Sequence, residues 1–344
     1  MSILRQCREV SQKLVFGDTL LPQAFTIGLV QPQQEIAVWV HGMGAPIDVT
    51  NHHSMACADP FTVCIAFDEE RKPSQAQINR LSLKFCERAG QRRTLGEIEL
   101  TSRETTVIPT PGSQLILFQA RSSSNHCLPK ARIGAHYLLH RYSLWKKLDS
   151  AGIKMSFLDR RAVMVMFIRP HPVVLASIDT ERGGNIFPMN IMGELRDGYF
   201  AFALKNSRLA AHLVERAGRI ALSDVPLTET SLTYRLGVNH GKPSVEWDNL
   251  PFATRTSKKL NLRVPVFSSR IREMEIREVH NLGSHKFFIA SIVHEERTAE
   301  SVGLCIVHGF YQACRLKERP EELKLSMKAD MFNKRGTPHS SLPL

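Results

Sequence analysis

The feature that most constrains this chain of 344 residues is an internal repeat. The tetrapeptide Glu-Arg-Ala-Gly occurs at 87–90 and again at 215–218. Upstream of each copy, residues 48–67 align without gaps on residues 185–204, and an apolar run occupies the same part of both segments. A genuine duplication predicts further matches in the same order.

Two further matches follow downstream. Gly112-Ser113 precedes an apolar run in the first half, as Gly283-Ser284 does in the second, and residues 138–142 match residues 306–310. The four matches keep their order. They predict two copies of one unit, with an insertion at about 228–265 in the second copy. The alternative is two unrelated β-rich domains with similar strand spacing.

Local patterns predict many short strands and one helix within each half. The strands carry β-branched and aromatic residues between turn residues. Ser74 and Ser207 are predicted helix N-caps, and Gly90 and Gly218 are the predicted helix ends. We therefore expect a mainly β fold with short helices (α+β), built from two tandem split β-barrels, each small and closed. The predicted divisions are an N-terminal arm (1–30), a first barrel (31–150), a linker (151–165), a second barrel (166–318), and a C-terminal helix and tail (319–344).

Charge and cysteine content narrow the function classes. The formal net charge of +12 favours an anionic partner, but the basic residues form no long tract, so nucleic acid is not expected. Seven cysteines without a CxxC pair argue against a disulfide framework or a zinc ribbon. Without a signal-like or membrane-spanning segment, the sequence predicts a soluble cytoplasmic protein with no membrane partner.

Three segments of the second half resemble the flavin reductase-like family, whose fold is the FMN-binding split barrel. They are residues 184–193, 200–208 and 213–218, and residues 280–285 resemble that family's later H-x-x-G-x-H segment. The resemblance covers about residues 166–318. The first half resembles the family only through its match to the second half.

The resemblance implies positions for a flavin. The residues implied to line the isoalloxazine ring are Met189, Asn190, Ile191 and Met192, and those implied to hold the phosphate are Lys205, Asn206, Ser207 and Arg208. The second set suits an anion, because a helix start presents N–H donors and a positive dipole end. The alternative is a basic surface turn that merely begins a helix.

The first half reads Asp68-Glu69-Glu70-Arg71 at the aligned place. Three carboxylates would repel a phosphate, so we expect the first half to have lost its flavin site. The family's barrels pair about a two-fold axis with the flavin near the interface. The resemblance therefore implies an internal pseudo-dimer, which could dimerise again, with the first half forming a wall of the surviving site.

Several histidines are weaker candidates. His53, His280 and His285 could contact the flavin edge or a substrate, or else form hydrogen bonds in turns. His136 and His140 have the spacing of metal ligands on a helix, but the repeat predicts a strand there, so no metal site is expected.

The implied function is FMN-dependent oxidoreduction, with FAD as the alternative cofactor. A hydride from NADH or NADPH would pass through the flavin to free flavin, oxygen or an organic acceptor, and no side chain is assigned as catalytic. Three alternatives stay open. They are a flavin-binding or electron-carrier protein without turnover, a barrel that holds another phosphate compound, and a split-barrel oxygenase whose organic substrate lies under the insertion.

Overall fold

A computed structural model describes residues 24–328 except 89, 91, 103–106, 111, 146–154, 182 and 299–300. The described chain is mainly β, with short helices. Its strands are β1 (Ala24–Leu29), β2 (Ile36–His41), β3 (Ile47–Asp48), β4 (His53–Ala58), β5 (Phe61–Asp68), β6 (Ser82–Glu87), β7 (Thr94–Thr101), β8 (Val107–Thr110), β9 (Ser113–Asn125), β10 (His171–Pro172), β11 (Val174–Thr180), β12 (Gly183–Met189), β13 (Met192–Glu194), β14 (Tyr199–Lys205), β15 (Arg219–Asp224), β16 (Thr254–Thr256), β17 (Arg263–Pro265), β18 (Arg270–Leu282), β19 (His285–Arg297), β20 (Gly303–His308) and β21 (Ser326–Lys328). Its α-helices are α1 (Gln75–Ile78), α2 (Lys130–Trp145), α3 (Phe157–Met166), α4 (Leu209–Ala217), α5 (Thr230–Arg235) and α6 (Gly309–Glu318).

Each half forms one large antiparallel sheet, and the two sheets have the same strand order. The first runs β3-β2-β6-β7-β9-β5-β4, with β8 added beside β9, and the second runs β12-β11-β15-β18-β19-β14-β13. Numbered along the chain, both read second, first, fifth, sixth, seventh, fourth, third. The shared order is the arrangement that the sequence repeat predicts, and it does not fit two unrelated domains.

The connections explain why each sheet curls. The outermost strands of the second sheet, β12 and β13, are joined by residues 190–191 alone, and those of the first sheet, β3 and β4, are joined by residues 49–52. Such short links bring the two edges of a seven-stranded sheet together, so the sheet curls into a half-barrel. Within the described residues the strand path stays open at these edges, so the predicted tandem split barrels are confirmed, although neither closes fully.

One part of the predicted repeat is wrong. β6 and β15 occupy the same position in the strand order of their sheets. Their first residues, Ser82 and Arg219, are separated by the same 137 residues as the matched segments upstream. In the first half Glu87 ends β6, whereas residues 215–218 end helix α4, with Gly218 at the C-cap in the left-handed conformation. The two Glu-Arg-Ala-Gly segments are therefore not structural equivalents.

The predicted first-half helix is correspondingly short. Ser74 does cap it, through a capping box with Gln77, but α1 stops at Ile78. Leu83 and Phe85 then alternate with polar neighbours in β6, between β2 and β7. Burial on one face of a central strand replaces the helical spacing that we inferred.

The last predicted match also fails. Residues 138–142 lie in helix α2, whereas residues 306–308 lie in strand β20. His136 and His140 therefore stand on a helix, and the buried His136 ring packs against Phe310 with centroids 5.3 Å apart.

The two sheets pack against each other through β4, β13, β14 and β19, around a shared apolar cluster that includes Ala56, Cys64, Ala201 and Phe287. The contact has a pseudo-two-fold pattern. Gly283 meets the main chain of Asp59 from the other half, where a Cβ on Gly283 would lie 2.3 Å from the carbonyl oxygen. In the corresponding hairpin of the first half, Gly112 faces Asp197. The fold thus forms the expected internal pseudo-dimer.

A smaller sheet joins distant segments in the order β10-β20-β1-β21. Strand β1, from the predicted arm, pairs with β20, from the second half. The described part of the predicted C-terminal helix is a 3-10 helix at Pro320–Leu325 followed by β21, and the rest lies outside the described residues. No helix in the described part of the chain has the length and apolar character needed to cross a membrane.

Candidate functional site

The turn from β14 into α4 carries the predicted phosphate residues, which we call the basic corner (205–208). Helix α4 begins at Leu209, so Arg208 rather than the predicted Ser207 is its N-cap. No side chain caps this end, and its first turn contains no acidic residue. Ser207 and Arg208 are exposed. The corner therefore presents an open, positively polarised helix start to solvent.

The corner is fixed by the hairpin between β18 and β19. The Asn206 backbone N–H donates to the Ser284 carbonyl at 3.0 Å, and its side-chain amide donates to the Gly283 carbonyl at 2.7 Å. Asn206 thus holds the turn in place, and its side-chain oxygen Oδ1 has no hydrogen-bond partner among the described residues.

Two histidines lie close enough to the corner to feel its charge. Burial, and then the nearby Lys205 cation, lower the pKa of His285 to about 4. Burial also lowers the pKa of His240, and Arg208 and Lys205 lower it further, against the opposing effect of the Pro188 carbonyl. Both rings are therefore neutral at pH 7 and add no further cation.

His240 was not predicted as a site residue. It comes from the insertion, in a 3-10 helix at Leu236–Gly241 that packs on β12 and α4. Its Nε2 lies 2.7 Å from the Pro188 carbonyl oxygen, and its ring contacts Phe187. His240 therefore links the predicted ring-binding loop to the basic corner. The insertion has no counterpart in the first half, so the repeat gave no signal for this residue.

The four predicted ring-lining residues are not equally accessible. Met189 and Met192 are buried and pack in the second-half core, whereas Asn190 and Ile191 are half-buried. The Ile191 carbonyl accepts from the Ala203 N–H at 2.9 Å. The accessible surface of this loop therefore belongs mainly to residues 190–191.

The remaining candidate histidines occupy separate places. His285 is buried at the interface of the two halves, with Nδ1 2.8 Å from Ser284 Oγ and near the Cys57 thiol. His53 is also buried, with Nδ1 2.6 Å from the Val49 carbonyl oxygen. His280 lies on β18, 3.0 Å from the Glu278 carboxylate.

The equivalent turn of the first half has the opposite charge. Asp68 ends β5 as Lys205 ends β14, and a 3-10 helix at Glu69–Arg71 follows. Asp68 forms an ion pair with Arg196 of the second half at 2.5 Å, and Glu69 pairs with Lys72 at 2.9 Å. The acidic turn is thus engaged by cations of the protein itself.

Solved structures similar to this chain include flavin proteins. One is an FMN-binding protein from Thermus thermophilus (21% identity, 37% of this chain and 71% of that chain, TM-score 0.34). Others are an NADH:FAD oxidoreductase from Streptomyces globisporus (10%, 44% and 88%, TM-score 0.38) and a putative flavin reductase from Haemophilus somnus (14%, 41% and 90%, TM-score 0.36). No protein-family model matches the chain, and neither does any curated protein.

Proposed function

We propose that this protein is a flavin-dependent oxidoreductase whose flavin phosphate binds at the basic corner. The observation that carries the proposal is the charge contrast between the equivalent turns. Lys205 and Arg208 flank an uncapped helix start, whereas Asp68 and Glu69 occupy the same place in the first half. The second turn offers donors and cations to a phosphate without the carboxylates that would repel it in the first turn.

The residues present suit a phosphate group. Exposed Ser207 and Arg208 supply a hydroxyl and a guanidinium, and Lys205 is half-buried beside them. The corner is held rigidly by the two bonds of Asn206 to the hairpin. A rigid donor set loses little conformational freedom on binding, which favours affinity.

The ring of the flavin would lie against residues 190–191, beside His240. The bound flavin would supply hydride and electron transfer, which protein side chains do not perform. The protein's own contribution would be binding and orientation. His240 holds the Pro188 carbonyl, and the burial of Met189 and Met192 fixes the loop from beneath. Titration with each flavin distinguishes FMN from FAD, and bleaching by NADH or by NADPH identifies the reductant.

The test is a titration of the purified full-length protein with FMN and with FAD, followed by flavin fluorescence and visible absorbance. We expect a yellow complex that bleaches when NADH or NADPH is added. The double variant Lys205→Glu/Ser207→Ala should lose the flavin and keep its folded far-UV spectrum. Full flavin occupancy in that variant would contradict the phosphate assignment.

The same experiment separates the alternative functions. A complex that is reduced by light but not by nicotinamide would be a flavin carrier. Failure to bind either flavin would indicate that the basic corner binds another phosphate compound. Oxygen uptake that requires an added organic compound would indicate an oxygenase.

A further inference from the structure

A cavity of about 360 Å³ lies at the end of the second sheet that faces away from the basic corner. Phe200, near the start of β14, forms part of its wall, whereas Lys205 ends the same strand. Five strand residues span roughly 17 Å. The lining residues include none of residues 205–208. We call this space the arginine cavity, and it is a separate place on the molecule.

The cavity is named for four arginines in its lining, Arg169, Arg270, Arg272 and Arg297. Three of them have carboxylate partners. The contacts are Arg270 with Glu194 at 2.9 Å, Arg272 with Asp224 at 3.2 Å, and Arg297 with Glu295 at 2.6 Å. Those three charges are balanced within the protein.

Arg169 is the exception. Its guanidinium forms no ion pair or hydrogen bond with any residue that the structure describes, and its Nε is buried. Burial lowers the pKa of Arg169 to about 10. Glu194, a carboxylate that acts on Arg169, pairs with Arg270 and Arg272 instead. Arg169 as a whole is half-buried at the cavity wall, and a partly desolvated cation without a protein partner favours the binding of an anion.

A second polar group near Arg169 also lacks a partner. His53 is 1% exposed, and its Nε2 has no hydrogen-bond partner among the described residues. Arg169 lies close enough to contribute to the lowered pKa of His53. The His53 Nδ1–H already donates to the Val49 carbonyl, so Nε2 of the neutral ring is an acceptor, and an anion in the cavity is held by Arg169 rather than by His53.

The rest of the wall is mixed, with Gln31, Asn51 and the arginine-paired carboxylates Glu194 and Asp224 among its polar members. Its apolar part includes Leu29, Val173, Met192, Phe200 and Leu304. An inorganic ion would leave this surface unused, and the volume lies at the lower end of the range of roughly 300–1,000 Å³ for small-molecule sites. The lining therefore suits a compact molecule with one anionic end and an apolar body.

We propose that the arginine cavity binds a small organic carboxylate, with the carboxylate on Arg169 and the apolar body against Phe200 and Met192. The planar guanidinium matches a carboxylate with two parallel hydrogen bonds. This inference does not depend on the flavin proposal, because the interaction needs no cofactor and uses none of residues 205–208, although Met192 belongs to both the cavity wall and the predicted ring-lining set.

Calorimetric titration of the full-length protein with cinnamate, cinnamyl alcohol and sulfate tests the proposal, with and without FMN. Cinnamate and its alcohol share an apolar body and differ in charge. We expect cinnamate to bind at least about tenfold more tightly than the alcohol or sulfate, the factor that a charge-assisted hydrogen bond provides. Equal affinity for the alcohol, or no binding of cinnamate, would overturn the proposal, and equal affinity for sulfate would overturn its organic part.

The variant Arg169→Met separates a ligand role from a structural one. It should weaken cinnamate binding by about tenfold or more and leave the melting temperature unchanged or raised, because it removes a charge that no protein group balances. The control Arg263→Met removes a largely exposed arginine outside the cavity and should change neither quantity. Unaltered cinnamate affinity in Arg169→Met would refute the assignment. Should that variant fail to fold, Arg169 would be structural, and the two probes on the unmodified protein would still decide whether the cavity prefers a carboxylate.

Discussion

The two halves share a strand order but differ at the turn that follows the fourth strand of each sheet. In the second half, Lys205 leads into a nine-residue helix. In the first half, Asp68 leads into a 3-10 turn and a four-residue helix. The strand pairing places the two turns at equivalent positions. Asp68 pairs with Ser113 in the first sheet, and Lys205 pairs with His285 in the second. One scaffold position therefore carries opposite charges.

The difference shows how the work is divided between the two halves. The strand ladder fixes where the turn lies, whereas its charge and the helix behind it decide what the turn can contact. The Asp68 carboxylate forms an ion pair with Arg196 across the interface between the halves. The acidic turn thus holds the two sheets together, and the basic turn keeps an exposed arginine and an uncapped helix start for a ligand.

Reversing the charge of the basic corner should have the largest effect. We expect Lys205→Glu/Arg208→Glu to weaken FMN binding by about a hundredfold or more, since two charge-assisted contacts are replaced by repulsion. The matched control is Arg71→Glu, because Arg71 occupies in the first half the position of Arg208 and is likewise exposed. Fluorescence titration should show no change in the control. Equal losses in both variants would mean that net charge, not the corner, governs binding.

The sequence predicted the sheets better than the helices. The gapless match at an offset of 137 identified equivalent strands, because alternating burial recurs wherever a strand has the same neighbours. The Glu-Arg-Ala-Gly match was misleading because an identity of four residues is too short to establish which positions are structurally equivalent. Ile78, Leu81 and Phe85 have helical spacing, yet Phe85 belongs to a central strand, and pairing with two neighbours outweighed the local preference.

The candidate site was predictable only where it is local. The strand-to-helix turn at 205–208 follows from adjacent residues, and it lies where the sequence placed it. The contribution of His240 depends on bonds between Asn239 and β12, which are remote in sequence. The burial of Met189 likewise reflects packing of the whole second core. Such contacts arise from the tertiary structure, and no pattern within one segment encodes them.

Two glycines in the corresponding β8–β9 and β18–β19 hairpins, one residue apart in register, offer a second comparison. Gly283 and Gly112 both have positive φ angles, of 61° and 80°. A Cβ on Gly283 would lie 2.3 Å from the Asp59 carbonyl oxygen, whereas one on Gly112 would meet only the Asp197 carboxylate at 3.4 Å. We expect Gly283→Ala to lower the free energy of unfolding by about 3 kcal/mol or more, and Gly112→Ala by about 1 to 2 kcal/mol, the cost of the left-handed conformation alone.

Urea unfolding of the two alanine variants measures this difference. Equal losses of unfolding free energy would show that the Asp59 main chain can move away from the added Cβ. Neither hairpin would then make a tight contact with the other half. A larger cost at Gly112 would reverse the comparison and place the more demanding contact at the Asp197 side of the pseudo-two-fold.

The smallest effect concerns His285, which stands where the first half has Ser113. Burial and Lys205 hold the pKa of His285 at about 4, below the usual 6.5. The unfolded chain therefore takes up a proton between pH 6.5 and 4 that the folded protein does not, so stability is full above pH 6.5 and falls as the pH decreases toward 4. In His285→Ser this contribution is absent, and the loss of unfolding free energy between pH 7 and pH 5 should be about 1 to 2 kcal/mol smaller than in the unmodified protein. Parallel pH profiles for His285→Ser and the unmodified protein would mean that the pKa of His285 is the same in the folded and unfolded states, and that burial and Lys205 do not lower it.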